Sequence, residues 1–200
     1  IDLPGEKRGM IPNAKYYDKA YRGSWNGLTI ISISIGQGEV TLTPLQIANL
    51  GATIANRGYY ITPHVVKSIE NDAIDTLYTQ KKYTKVDRIH YEEVVEGMRM
   101  AVTGGTCRMA NLPDIEVCGK TGTAQNRGKD HSAFMGFAPM NNPKIAIAVY
   151  VENGGFGAVY GVPIGRLMIE QYLKGELTPQ DEELATDIQN RRIDYGIHER

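Results

Sequence analysis

The chain has 200 residues, and its 22 Lys and Arg nearly balance its 23 Asp and Glu, for a formal net charge of −1. With 42% hydrophobic and 22% charged residues it has the composition of a globular protein, at a length that suits one domain or a large piece of one and can bury a core. The near-neutral balance excludes a partner held by charge alone, nucleic acid first among them, because phosphate binding needs a clustered positive excess.

The longest apolar runs, Leu28–Ile35 and Ile145–Val151, fall well short of the roughly 20 residues of a membrane-spanning helix. The chain opens Ile1-Asp2-Leu3-Pro4-Gly5, with no initiator Met and no basic leader, and reads as a fragment of something longer. Cys107 and Cys118 are its two cysteines. Their spacing fits no strong metal pattern, and the four His are scattered. Two unpaired, buried thiols are expected, although the spacing leaves a disulfide open. No cofactor motif is present.

Residues Ile1–Asn26, rich in Gly, Pro, Asn and Tyr, read as irregular. Leu28–Ile35 alternates apolar residues with Ser and Thr, which predicts a short strand that Gly36-Gln37-Gly38 breaks. A helix is expected from Thr43. Thr43 can cap it, Pro44 fits its first position, Gln46 completes a Thr-x-x-Gln capping box, and Asn56-Arg57-Gly58 stops it with Gly58 left-handed. Tyr59–Ile69 is strand-like around Pro63, and Glu70–Lys85 is polar and loop-rich. Tyr91, Val94, Val95, Met98 and Ala101 recur at helical spacing, predicting a helix over Asp87–Val102 that Gly104-Gly105 ends.

Three strands follow, at about Glu116–Gln125, Ser132–Ala138 and Lys144–Glu152. The short polar links Asn126–Asp130 and Pro139–Pro143 make them antiparallel neighbours. A further helix is expected over Pro163–Lys174, closed by Gly175. Beyond it, Thr178-Pro179-Gln180-Asp181 offers another helix start in a charged stretch equally readable as mobile.

The stretch that carries chemistry is Cys118-Gly119-Lys120-Thr121-Gly122-Thr123-Ala124-Gln125. Gly122 and the small residues let a ligand backbone lie along the strand. Lys120 supplies a cation, and Thr121 and Thr123, two apart, present hydroxyls on one face. That set suits a peptide carboxylate and a polarised carbonyl, and Lys-Thr-Gly is a known element of β-lactamases and penicillin-binding proteins.

Several motifs in order extend the match. Ile1-Asp2-Leu3-Pro4-Gly5-Glu6, Ser34-Ile35-Gly36-Gln37-Gly38, Thr41–Gln46, Gly97-Met98, Gly105-Thr106 and Ala133–Pro139 all occur at family spacing around the Lys-Thr-Gly strand. The chain, from Ile1 to about Gly175, resembles class B penicillin-binding proteins, most closely the elongation type, penicillin-binding protein 2.

The resemblance implies an α/β (α+β) fold, an antiparallel sheet flanked by helices as in serine β-lactamases, incomplete here on its N-terminal side. Residues 1–175 would be the C-terminal portion of the transpeptidase domain and residues 176–200 a charged tail. Two further strands from upstream would pair beyond the Lys144–Glu152 strand, whose edge would otherwise be an association risk. The implied activity is peptidoglycan D,D-transpeptidation. A serine in Ser-x-x-Lys attacks the D-Ala-D-Ala of a stem peptide, a Ser-x-Asn motif helps move protons, and an amine from a neighbouring stem takes the acyl group. β-Lactams are trapped as acyl-enzymes.

By the same resemblance Lys120 contributes electrostatics, Thr121 and Thr123 hold the substrate carboxylate along Gly122, and the Thr123 N–H is an oxyanion donor. Stem peptides, β-lactams and cell-wall elongation proteins are the implied partners. The implied location is the periplasmic side of the cytoplasmic membrane, on an anchor absent from this chain.

The sequence departs from the family in two places. It contains no Ser-x-x-Lys, so the nucleophile is expected upstream of Ile1. Leu28 stands where the family usually has Asp. Ser24-Trp25-Asn26 fits Ser-x-Asn by pattern but lies on the wrong side of the Ile1–Glu6 segment. His64 is expected to be packed or half exposed, Arg127 and Lys129 to sit in a solvated loop, and Gln37 to serve as a turn and groove-wall element. Two other readings share the fold: a non-catalytic β-lactam sensor, and a scaffold for elongation partners.

Overall fold

The computed structural model describes residues 5–193 and residue 195, so Ile1–Pro4 of the first family motif lie outside the described residues. The described residues form six α-helices and five short strands, three helices first and three consecutive strands ahead of the last two helices. The centre is a three-stranded sheet of β3 (Cys118–Ala124), β4 (His131–Ala138) and β5 (Ile145–Val151), antiparallel throughout and consecutive in space. Thr121 pairs with Phe134, and Phe134 with Val149. The predicted strands and their pairing are thus present, β3 and β5 trimmed by a residue or two at their ends and β4 longer by one residue at its start. Among the described residues no strand pairs with the outer edge of β5.

Strand alternation divides the core in two. On one face Phe134, Ala138, Ile147 and Val149 pack with Val162 and Ile169 of α5 (Gly161–Lys174) and with Cys107, Ala110, Leu112 and Val117, the run leading into β3. On the other, Cys118 and Phe137 pack with Ala55 of α3 (Pro44–Ala55) and with Val95 and Met98 of α4 (Arg88–Thr103). Helix α3 forms as its sequence dictates. The Thr43 N–H donates to Gln46 Oε1 at 2.9 Å, and the Gln46 N–H donates to Thr43 Oγ1 at 3.2 Å. At its end the left-handed turn falls on Arg57 (φ 55°), followed by Gly58 at φ 107°.

The Phe134 ring lies in a slot that only glycines can line. A Cβ on Gly165 of α5 would stand 2.4 Å from the ring, one on Gly119 of β3 2.5 Å, and one on Gly136 of β4 2.7 Å. Three elements therefore close on one aromatic side chain, which is 1% exposed.

The N-terminal third differs from the sequence expectation. Residues 14–21, expected to be irregular, form α1 (Ala14–Tyr21), capped by Asn13, whose side chain accepts from the Tyr16 N–H. What holds α1 is tertiary, the burial of Tyr17 beside Tyr21 and Trp25. The Leu28–Ile35 strand is instead helix α2 (Gly27–Ser34). Asn26 accepts from the Leu28 N–H at 2.9 Å while Thr29 reaches back to the Asn26 N–H, and this capping box prevails over the strand preference of the Ile-rich run. Of the strand-like Tyr59–Ile69 only β1 (Tyr59–Tyr60) is a strand. It pairs with β2 (Lys82–Tyr83), and Pro63 ends the extended run just beyond.

After Gly175, left-handed at φ 82°, the charged stretch continues as α6 (Pro179–Asn190). Arg166 of α5 donates from Nε to both carboxylate oxygens of buried Asp181, at 2.7 and 2.9 Å. Its NH1 group donates to the carbonyl of Asn111 at 2.6 Å.

Three outcomes are expected. Gly165→Ala should destabilise by about 1–3 kcal/mol, the cost of overpacking against Phe134. Gly97→Ala on the open face of α4, where an added methyl meets nothing within 4 Å, should stabilise by about 0.4–1 kcal/mol. Denaturant midpoints of the two variants should therefore move in opposite directions. The two thiols, free and buried, should resist a thiol reagent near pH 8 in the folded protein. Burial pushes the Cys118 thiol up to about 12 and raises Cys107 as well. Both should react together on unfolding, and rapid labelling of either in native buffer would contradict the packing described.

Candidate active site

Strand β3 is the edge of the sheet opposite β5, and its Lys120–Thr123 stretch is where the expected chemistry lies. Alternation sends Lys120, Gly122 and Ala124 to the α3 side and Thr121 and Thr123 to the α5 side. Lys120 is exposed, and its Nζ curls back to donate to the Thr121 carbonyl at 3.0 Å. The Thr121 hydroxyl lies 2.9 Å from that of Thr106, in the turn after α4. The cation and the two threonine hydroxyls thus stand on opposite faces of one strand, close enough to the free edge for both to reach over it. Thr106, which the sequence offered only as part of Gly105-Thr106, is the neighbour that orients the Thr121 side chain.

The free edge has a definite polarity. In an antiparallel ladder the N–H and C=O of one residue point to the same side. The Thr121 and Thr123 carbonyls are both held by side chains rather than by β4, so the N–H groups of these residues also face outward. The Thr123 carbonyl accepts from Gln37 Nε2 at 2.8 Å, across 86 residues of sequence. The Gly-Gln-Gly turn and the Lys-Thr-Gly strand are therefore brought into direct contact. Gly36 (φ 75°) and Gly38 (φ 68°) are both left-handed, which lets the turn present Gln37 to the strand.

Beside this contact opens a cavity of about 510 Å³. Lys120, Gly122 and Met135 line it on the sheet side, and Val40, Leu42 and Ile47 on the other. Its wall is mainly apolar, with the Lys120 cation at the rim. Among the described residues no three His, Cys, Asp or Glu side chains gather as a metal-binding group.

The turn is tethered from below. Glu39 accepts from the Tyr17 hydroxyl at 2.9 Å and from the Tyr21 hydroxyl. These bonds, Tyr21 first, hold the Glu39 carboxyl below its ordinary range. Burial and the bond to Glu39 push Tyr17 up to about 12. Sequence reading missed Glu39. The one local signal was an acidic residue directly after the Gly-Gln-Gly turn, with Tyr17 and Tyr21 one helical turn apart on no recognised helix.

The remaining candidates take ordinary places. Asn26 of Ser24-Trp25-Asn26 caps α2, and Trp25 donates to Asp18 at 2.8 Å. His64 is half-buried, with Nδ1 2.9 Å from the Thr62 carbonyl and its ring beside Tyr78. Arg127 and Lys129 are exposed in the β3–β4 loop.

With this geometry in place, comparison with known proteins gives the class. Residues 1–169 match the penicillin binding protein transpeptidase domain, and the chain belongs to that family. Its relatives are of the MrdA and penicillin-binding protein 2 type. It is 34% identical over 177 residues to the peptidoglycan D,D-transpeptidase MrdA of Acinetobacter baumannii, covering 78% of this chain and 26% of that protein. It is 35% identical over 158 residues to the peptidoglycan D,D-transpeptidase PbpA of Mycobacterium tuberculosis, covering 72% and 32%.

Among solved structures, penicillin-binding protein 2 of Pseudomonas aeruginosa superposes with a TM-score of 0.76 at 34% identity, over 90% of this chain and 40% of that one. The Helicobacter pylori protein, solved as a complex with MreC, gives 0.73 at 28% identity, over 88% and 33%. The chain thus spans between a quarter and a third of the length of the curated relatives it matches.

The Glu39 tether has a pH signature. A carboxylate whose folded pKa is lowered adds stability that is full above its ordinary pKa of about 4.5 and is lost as pH falls through the folded value. The melting-temperature gap between the protein and its Glu39→Gln variant should be widest near neutral pH and close below about pH 4.5. A gap unchanged down to pH 3 would remove Glu39 as an ionised tether.

Proposed function

We propose that the chain is the C-terminal portion, residues 1–175, of the transpeptidase domain of a peptidoglycan D,D-transpeptidase, with residues 176–200 as a tail. The observation that carries this is the outward-facing Lys120–Thr123 edge beside an apolar cavity, in a chain whose relatives are named for that activity. The acyl donor is a stem peptide ending in D-Ala-D-Ala. A serine hydroxyl, in a Ser-x-x-Lys that these 200 residues do not contain, adds to the penultimate carbonyl and loses its proton to the motif lysine. The bond to the terminal D-Ala breaks, and that residue leaves with a proton on its nitrogen. The amine of a second stem then takes the acyl group and frees the serine.

In this scheme Lys120 stabilises the negative charge that develops as serine attacks. The Thr121 and Thr123 hydroxyls receive the terminal carboxylate over the edge of β3, with Gly122 leaving room for the peptide backbone. The Thr123 N–H serves as an oxyanion donor, and its outward direction supports that role. β-Lactams occupy the same place. The Mycobacterium tuberculosis relative, penicillin-binding protein A, has been solved as penicillin G and imipenem acyl-enzymes. An MreC-like elongation protein is the proposed partner, by analogy with the Helicobacter pylori complex. The proposed location is the periplasmic side of the cytoplasmic membrane, with an N-terminal anchor.

The test is kinetic. In the complete protein, Lys120→Ala should slow second-order acylation by a β-lactam about a hundredfold or more, the scale of one lost oxyanion-type interaction of about 3–4 kcal/mol. Its melting temperature should stay near that of the wild type, because the side chain is exposed. Lys120→Arg should recover only part, since a guanidinium places its charge differently. Acylation within about twofold of wild type in a well-folded Lys120→Ala protein would remove Lys120 from the site. The 200-residue chain alone should give no adduct with a fluorescent penicillin by intact mass, and a stoichiometric serine adduct would show a nucleophile within it.

A further inference from the structure

The free edge of β3 is occupied by the protein itself. Its two outward carbonyls in the motif, Thr121 and Thr123, are two residues apart, about 7 Å along a strand. That is the period at which an extended peptide offers N–H groups to an edge strand. Each carbonyl already has a donor, Lys120 Nζ at 3.0 Å for Thr121 and Gln37 Nε2 at 2.8 Å for Thr123. The Lys120 contact is between neighbours in sequence, from an exposed side chain. The Gln37 contact is long-range and part-buried, and it comes from a turn that two left-handed glycines permit and the Glu39 tether holds. A part-buried carbonyl beside an apolar cavity is costly to leave without a donor, and Gln37 meets that need while the cleft is empty.

We infer that Gln37 is a positioning residue that guards the peptide-binding edge of β3, holding the Thr123 carbonyl until a backbone N–H of the acyl donor replaces it. The inference rests on the transpeptidase reading. It adds a selectivity that the Lys-Thr-Gly strand lacks by itself. A donor with an amide N–H at that position exchanges one hydrogen bond for another. A donor without one leaves Gln37 where it is and gains nothing from the carbonyl. The amide of glutamine suits the task because it donates without titrating.

The complete protein and its Gln37→Met variant, close in volume and without a donor, would be acylated with benzylpenicillin, whose side-chain amide carries an N–H, and with imipenem, which has no such amide. Benzylpenicillin acylation should rise about threefold to tenfold in the variant, because the ligand no longer displaces a resident hydrogen bond. Imipenem acylation should change less than about twofold. In the wild type, the side-chain amide protons of Gln37, followed by NMR, should lose their hydrogen-bonded shift on acylation by benzylpenicillin and keep it on acylation by imipenem.

Equal slowing of both ligands in the variant would make Gln37 a purely structural turn residue and overturn the inference. So would unchanged rates with both, or a Gln37 amide signal indifferent to benzylpenicillin in an acylated wild type. A wild type inert to both ligands would overturn the transpeptidase reading, and the guard would fall with it. That outcome is distinct, because the others all require an acylated wild type.

Discussion

The absence of three β-carbons around one ring governs this structure. Phe134 fills the space that Gly119, Gly136 and Gly165 leave, and through it β3, β4 and α5 are held at a separation that no larger residue permits. Gly119 immediately precedes Lys120, so the strand that carries the candidate chemistry is placed by the same close approach that builds the core. Interiors pack at crystal-like density and transmit displacement. A shift of α5 away from Phe134 would therefore pass directly to the Lys120–Thr123 edge.

What that edge can do follows from its polarity. A β-strand has one side for its neighbour and one for the outside. In β3 the outside is dressed by a lysine from the strand and a glutamine from a distant turn. Glycines on either side of Gln37 permit the turn's left-handed backbone, and a carboxylate between two tyrosines ties it from below. Helix α1 thus bears on the site through Glu39 and the turn. The apolar cavity beside the edge gives such contacts an environment in which a hydrogen bond or a charge counts for more than it would in water.

The sequence was most readable where local chemistry decides the outcome. The Thr43–Gln46 capping box, the helical spacing of Tyr91, Val95 and Met98, and the turn residues between the three strands each carry their structure within a few positions, and those elements stand where they were expected. Helix α2 shows the limit. The Ile, Ser and Thr run satisfies a strand pattern and was read as one, and the Asn26–Thr29 capping box that makes it a helix emerged only in the fold. Helix α1 was less accessible still, since its stability comes from Tyr17 packing and bonding to residues far along the chain. The Lys120–Thr123 motif was legible as a signature. Its partners, Gln37 on the Thr123 carbonyl and the Thr106 hydroxyl on the Thr121 hydroxyl, were not, because no local rule links positions 86 or 15 apart.

Arg166 sets a condition on how this chain can be shortened. One guanidinium serves both the carboxylate of Asp181, on the last described helix, and the carbonyl of Asn111, in the segment that leads into β3. Its side chain is 14% exposed and that of Asp181 1%, so the pair is largely withdrawn from solvent, and breaking such a pair from one side costs about 3–5 kcal/mol. A version cut after Gly175 would keep every residue of the candidate site. It would also strand a cation against the run that feeds the Lys120 strand, so a trimmed protein would need Arg166 replaced by a neutral residue of similar length to keep that run in place.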